Sequence, residues 1–312
     1  MKPQRRRGPR EKIWLALMIG NSRLHWAWFI GETLQEAWDT EYLPAPTPPI
    51  APNPLKGATR VRGGGGTPLR VRSPLRRETL LQGCLTARDS LPSSPSPPLP
   101  LYLASVVPSQ TALWQTYPDV RVITLDRIPL QGIYPTLGID RALALWGAGE
   151  TWGWPMLAID AGTALTLTGA DANRCLVGGA ILPGLGLQLQ SLDQRTAELP
   201  LVDTRDVTSL PPRWALNTPE AIQSGVIYTI LAGIRDFIEA WRRQFPGSYI
   251  TLTGGDRTLL LTYLQFQFPE LAVKVISDRH LIFWGMRSCW ALRRGQGEVG
   301  RWGGGAVGRW GE

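Results

Sequence analysis

Histidine and cysteine are scarce in this chain: of 312 residues, two are His and three are Cys. His25 and His280 are too few and too isolated for a zinc site or a Ser-His-Asp triad. Cys84, Cys175 and Cys289 stand far apart, with neither metal-ligand spacing nor an even-numbered disulfide framework, a usage that suits a reducing cytosol. Long apolar runs are also lacking. Ile13 to Ile19, behind Arg5-Arg6-Arg7, imitates a signal peptide, but the run is short, ends in Gly20-Asn21-Ser22-Arg23 and has no small-residue cleavage pattern. It reads as a buried strand. No run is expected to span a membrane, and the expected location is cytoplasmic.

Acid is missing where base is plentiful. The net charge is +8, yet residues 44–77 hold seven Lys/Arg and no acid. Residues 1–12, 44–77 and 288–312 carry +5, +7 and +2, which leaves −6 for the rest of the chain. The basicity belongs to the ends and one insertion. That insertion has no interleaved aromatics and no recognised motif, so no specific nucleic-acid partner is expected. The same stretches are low in complexity. Residues 1–12 read as a disordered arm, 44–77 and 91–100 as insertion and linker, and 288–312 as a tail with two Gly-Arg-Trp-Gly copies.

The remainder is ordinary for a folded protein, with 43% hydrophobic residues overall and length enough for two domains or two halves of a duplicated fold. Two glycine turns share a pattern. Met18-Ile19-Gly20-Asn21-Ser22 follows one apolar strand, and Ile159-Asp160-Ala161-Gly162-Thr163 closes another. This is the mark of an internal duplication. The acid of the second copy, Asp160, is replaced in the first by Met18.

Periodicity predicts strands over 13–19, 24–30 and 33–40, a helix over 78–88, a strand over 101–107, a helix over 109–117 capped by Ser109, a strand over 120–124 and a helix over 140–152. The second half predicts strands near 155–160, 163–169 and 174–177. Gly178 to Gly184 is expected as a flexible apolar turn leading into a helix that reaches Ala197. A helix over 218–245 with Thr218 as N-cap, a strand over 249–253 and a helix from Asp256 complete it. The alternation makes the class α/β, with lobes over 13–137 and 138–287.

A glycine turn after a strand exposes backbone N–H groups that can cradle phosphate, and Ser or Thr adds a hydroxyl. Either turn alone is equally an ordinary hairpin. With Thr253-Gly254-Gly255 at a third strand end, the set suits a nucleotide cleft in which Gly254 and Gly255 admit the nucleoside. Gly138-Ile139-Asp140-Arg141 is either a helix cap with a surface pair or a catalytic group. In the second case a carboxylate takes a proton from an acceptor hydroxyl and a guanidinium holds an anionic acceptor. Tyr134 stands just upstream.

Eight blocks in order across residues 13–287 resemble the type III pantothenate kinases. They are Gly20-Asn21-Ser22, Ala104 to Pro108, Gly138 to Arg141, Asp160 to Thr163, Gly178 to Gly184, Arg195-Thr196-Ala197 with Leu199-Pro200, Asn217-Thr218 with Ser224-Gly225, and Thr253-Gly254-Gly255. The resemblance implies a duplicated actin-like (ribonuclease H-like) two-lobed fold with a nucleotide cleft between the lobes. It implies a homodimer and ATP-dependent phosphorylation of pantothenate, the first step of coenzyme A biosynthesis, with Mg²⁺ and a monovalent cation. Asp140 would be the general base. Tyr134, Gly138, Ile139, Arg141 and Thr218 would bind pantothenate, with Thr218 reaching the partner subunit's site. Met18, Ile19, Gly20, Asn21, Ser22, Arg23, Leu24 and His25, with Thr163, Gly254 and Gly255, would bind ATP. Asp160 would hold K⁺ or NH₄⁺. Met18 is a departure, since a thioether is a poor ligand for Mg²⁺. It leaves as the alternative a non-enzymatic regulatory or accessory relative on the same scaffold.

Overall fold

A computed structural model of the chain describes residues 12–42, 98–196, 198–203 and 209–295. The arm, the 44–77 insertion, the expected helix over 78–88 and the Gly-Arg-Trp-Gly copies lie outside the described residues, apart from Lys12.

The first sheet contains β1 (Ile13–Ile19), β2 (Leu24–Ile30), β3 (Thr33–Thr40), β4 (Leu101–Ser105) and β5 (Val120–Val122), in the order β3-β2-β1-β4-β5. The second contains β6 (Met156–Ala161), β7 (Ala164–Ala170), β8 (Leu176–Pro183), β9 (Tyr249–Thr253) and β10 (Val275–Ser277), in the order β8-β7-β6-β9-β10. Each sheet is an antiparallel three-strand meander whose first strand also pairs in parallel with the fourth. The repeated order is the duplication that the glycine turns announced. The α/β two-lobed architecture matches the actin-like expectation.

Among the described residues the α-helices are α1 (Pro108–Trp114), α2 (Ile139–Trp152), α3 (Leu185–Arg195), α4 (Thr218–Gln244), α5 (Arg257–Gln267), α6 (Pro269–Ala272) and α7 (Leu281–Gly295). Strand alternation sorts the core. On β1, Leu15, Leu17 and Ile19 join Trp114 of α1 on the outer face, while Trp14, Ala16 and Met18 face inward. On β6, Leu157, Ile159 and Ala161 face outward toward α3, α4 and α5, while Met156 and Ala158 face inward. Between the sheets lie α2 and α7, whose Leu143, Trp146, Leu281 and Met286 join the inner cluster. Their backbones cross closely. A Cβ on Gly147 would lie 2.1 Å from the Leu281 oxygen, and one on Gly285 would lie 2.2 Å from the Leu143 oxygen.

The structure corrects several expectations. Residues 288–295 belong to α7 rather than to a tail: Trp290 is buried and stacks on Trp14 at 5.3 Å. Gly178 to Gly184 does not form a flexible turn. Its residues form most of edge strand β8, where a Cβ on Gly179 would meet the Leu167 oxygen at 2.0 Å and Arg141 Nη2 at 2.5 Å. Glycine here lets the strand pass directly over that guanidinium. Ser109 does not cap α1, whose N-cap is Val107; Ser105 Oγ accepts from the Val107 N–H instead. Thr218 does not cap α4. Asn217 Oδ1 accepts from the Glu220 N–H at 3.0 Å, and Thr218 is the first helical residue. At 27 residues, α4 is long and apolar enough by length and composition to cross a membrane. Its apolar stripe, including Ile227, Ile230, Ile234 and Ile238, packs in the second sheet's outer core.

Candidate active site

The turns after β1 and β6 meet. Ser22 Oγ and Thr163 Oγ1 share a hydrogen bond at 2.7 Å although 141 residues separate them. Each turn is closed by its own backbone: Gly20 N–H donates to the Arg23 oxygen at 3.1 Å and Gly162 N–H to the Ala164 oxygen at 3.1 Å. Tyr42 braces the first by donating its hydroxyl to the Gly20 oxygen. The third turn follows β9. Gly254 takes φ +92°, and a Cβ there would lie 2.5 Å from Asp160 Oδ1, so only glycine lets this turn close against the end of β6. The Asp256 N–H then donates to the Ala161 oxygen at 3.0 Å.

The three turns border a cleft of about 550 Å³ whose lining includes Asp140 and Asp160. Asp140 stands in the first turn of α2. Its Oδ1 accepts from the Arg141 N–H at 2.8 Å, which fixes the carboxylate and leaves Oδ2 for a ligand. Asp160 ends the inward row of β6. Burial, then the Asp140 carboxylate, pushes its carboxyl up from 3.8 to about 6, against an opposing pull from His25. Two carboxylates held together with one resisting ionisation make a site with affinity for a cation or a shared proton.

Of the expected nucleotide residues, Met18, Gly20, Asn21, Ser22, Arg23, His25, Thr163, Gly254 and Gly255 line this cleft. The Ile19 and Leu24 side chains turn away into the outer core, because strand alternation sends them to the opposite face. Met18 is 1% exposed, packed with Trp14, Ala16, Ala27 and Ala104 beneath the cleft floor.

The expected acceptor residues gather less completely. Arg141 is buried, and its donors meet neutral acceptors: Nε to Thr168 Oγ1 at 3.0 Å, Nη1 to the Tyr134 hydroxyl at 3.1 Å and Nη2 to the Leu167 oxygen at 3.3 Å. Gly138 is the N-cap of α2, where a Cβ would lie 2.4 Å from Asp140 Oδ1, and Ile139 is buried in the inner core. Thr218 is exposed at the start of α4 and is not among the cleft residues.

Composition did not single out Asp39, Arg257, Arg279 and His280, which also line the cleft. Asp39 was legible only through β-register. Arg257 donates to the Gly254 oxygen at 2.9 Å. Burial, then Arg279, lowers Arg257 from its ordinary value, and burial, then Arg279, lowers His280. Two guanidiniums, Arg257 and Arg279, thus stand at this wall beside Asp256.

The sequence profile of the family described as type III pantothenate kinase matches residues 101–240. A type III pantothenate kinase from Nostoc sp. is 57% identical over 279 residues, covering 89% of this chain and 94% of that protein. One from Synechocystis sp. is 42% identical over 277 residues, covering 89% of this chain and 90% of that protein. Among solved structures, one described as a Baf family transcriptional activator from Campylobacter jejuni is 18% identical, with a TM-score of 0.49, covering 90% of this chain and 99% of that chain.

Proposed function

The chain belongs to the type III pantothenate kinase family, and from that membership we propose how its cleft phosphorylates pantothenate at the expense of ATP. The reaction feeds coenzyme A biosynthesis. The observation that carries the assignment of the cleft is the meeting of the two glycine turns at Ser22 and Thr163, beside Asp140 and Asp160.

Asp140 is the general base. Its Oδ2 takes the proton of the pantothenate hydroxyl as that oxygen attacks the γ-phosphorus in line, and ADP leaves. The turn from Met18 to His25, with Thr163, lies along the triphosphate, with the Ser22 and Thr163 hydroxyls as donors. Gly254 and Gly255 admit the nucleoside. Arg141 supplies the positive charge for the acceptor's carboxylate: three of its five N–H groups serve Thr168, Tyr134 and Leu167, and two remain. Gly138 and Ile139 shape that pocket beside Tyr134. Holding both reactants in one fixed geometry supplies much of the acceleration.

Asp160 fits a cation, because the charge it resists carrying alone would be offset by one. Its hard oxygens suit K⁺ or NH₄⁺, while the Met18 sulfur beneath the first turn does not suit Mg²⁺. Asp160 would hold the monovalent ion, and Mg²⁺ would enter with the triphosphate. When bound, these ions neutralise charge developing on the phosphoryl group.

Thr218 contributes to pantothenate binding in a partner subunit of a homodimer. This rests on its absence from the lining of its own cleft and on Trp214 and Leu216, 88% and 102% exposed just ahead of it. We place the enzyme in the cytoplasm, where both substrates are available. The non-enzymatic alternative is disfavoured by the kinases at 57% and 42% identity.

The assay is pantothenate-dependent ADP release in ATP, Mg²⁺ and K⁺. Asp140→Asn is expected to lower kcat by about 10²-fold or more with folding intact. A variant turning over at the wild-type rate removes Asp140 from its role.

A further inference from the structure

One cross-strand row of the first sheet runs Asp39 on β3, His25 on β2 and Met18 on β1. The matching row of the second runs Ile181 on β8, Thr166 on β7 and Asp160 on β6. Residues in one row share a face. Each row thus contains one carboxylate, but in different places. In the second sheet it stands on the central strand at the phosphate turn. In the first it stands two strands away, about 10 Å at the usual strand spacing, with an imidazole between.

His25 Nδ1 lies 2.8 Å from Asp39 Oδ1. An ionised carboxylate only accepts, so Nδ1 carries the proton. Arg23 Nη1 donates to Oδ2 of the same carboxylate at 3.4 Å. Burial alone would raise the Asp39 carboxyl, but His25 and then Arg23 outweigh it and hold the group below its ordinary value. Asp39 is therefore an ionised acceptor for both neighbours at neutral pH. Nε2, the other ring nitrogen, lies 3.2 Å from where a side chain on Gly20 would begin. Glycine at that turn leaves the space into which the ring edge points.

We propose that Asp39 is a positioning residue: it holds His25 through Nδ1 so that Nε2 meets the nucleotide phosphates at the first glycine turn. A nitrogen contact thus occupies the turn whose counterpart presents the Asp160 carboxylate. In its cationic form the ring donates from both nitrogens, one to Asp39 and one to a phosphate oxygen. The buried Met18 adds no competing charge. The proposal rests on the reading of this cleft as the ATP site. The charged groups that share the cleft with His25 are Arg23 and Asp39 from its own sheet, and Asp140, Asp160, Asp256, Arg257, Arg279 and His280 from the other side.

The test is KM for each substrate beside kcat, at one fixed pH. His25→Ala is expected to raise KM for ATP roughly tenfold, with KM for pantothenate within about twofold. Asp39→Ala, on a half-exposed site, raises KM for ATP about threefold and changes kcat little. Asp39→Glu restores most of that loss. In the His25→Ala background, Asp39→Ala adds nothing further to KM for ATP, because the group it positions is gone. Alanine variants with the wild-type KM for ATP, or single effects that simply add in the double variant, overturn the proposal. Calorimetric titration with the analogue AMPPNP separates the two readings. If the wild type binds the analogue but phosphorylates no pantothenate when given ATP, the kinase reading fails, and the dyad is still judged by whether Asp39→Ala weakens that binding. A wild type that binds no nucleotide overturns both.

Discussion

At Asp160 the cleft has a measurable electrostatic consequence. Its carboxyl is raised from 3.8 to about 6, so the protonated form is favoured in the fold. The associated stability is fully present below the unfolded value and is lost as pH rises through about 6, about 3 kcal/mol over the whole shift. Asp160→Asn is therefore expected to raise the melting temperature in K⁺-free buffer near pH 8, with a smaller gain near pH 5. Adding K⁺ should stabilise the wild type near pH 8 and leave the variant unmoved. Thermal melts at two pH values with and without K⁺ check this, and a K⁺ response retained by the variant removes the cation from Asp160. Met18 teaches the converse at the same scale. A side chain 1% exposed among Trp14 and three alanines is a core residue, so an acid placed there would be a buried charge as much as a restored ligand. Its position beside a glycine turn was legible in the sequence. Its burial was not, because burial depends on what α2 and α7 lay against it.

Among the elements, α2 carries the site. Its first turn presents Asp140 and Arg141, and its middle crosses α7 where Gly147 faces Leu281 and Gly285. Gly147→Leu is expected to destabilise the protein by about 3 kcal/mol or more, since a well-packed interior does not absorb added volume. Urea denaturation measures it, and an unchanged midpoint shows that the helices part without cost. The main strands and long helices of the described residues were legible, because alternation and helical spacing are local properties of the backbone. Ends were less so. Pro108 starts α1 one residue before Ser109, and the Asn217 amide takes the cap assigned to Thr218, choices made by which group reaches an open N–H. Gly178-Gly179 looked like a turn, yet pairing with β7 makes it an edge strand, and no local signal carries a pairing partner.

For the whole molecule, the open question is the second copy. Trp214→Ala with Leu216→Ser is expected to weaken self-association and to raise KM for pantothenate more than KM for ATP, since Thr218 follows directly. Sedimentation equilibrium and steady-state kinetics measure the two effects, and an oligomeric state unchanged by the double substitution excludes this face. Glycine turns, the alternation that puts Met18 opposite Ile19 and Asp160 opposite Ile159 on their strands, and the order of the motifs were all determined by the sequence itself, for these follow from spacing along the backbone. Only the tertiary structure decided that Ser22 touches Thr163, that burial and then Asp140 raise Asp160, and that Asp39 stands in register with His25 and Met18. Those facts rest on strand register and on the separation of the two sheets, which arise from contacts distributed over the folded chain and are not encoded in any one segment.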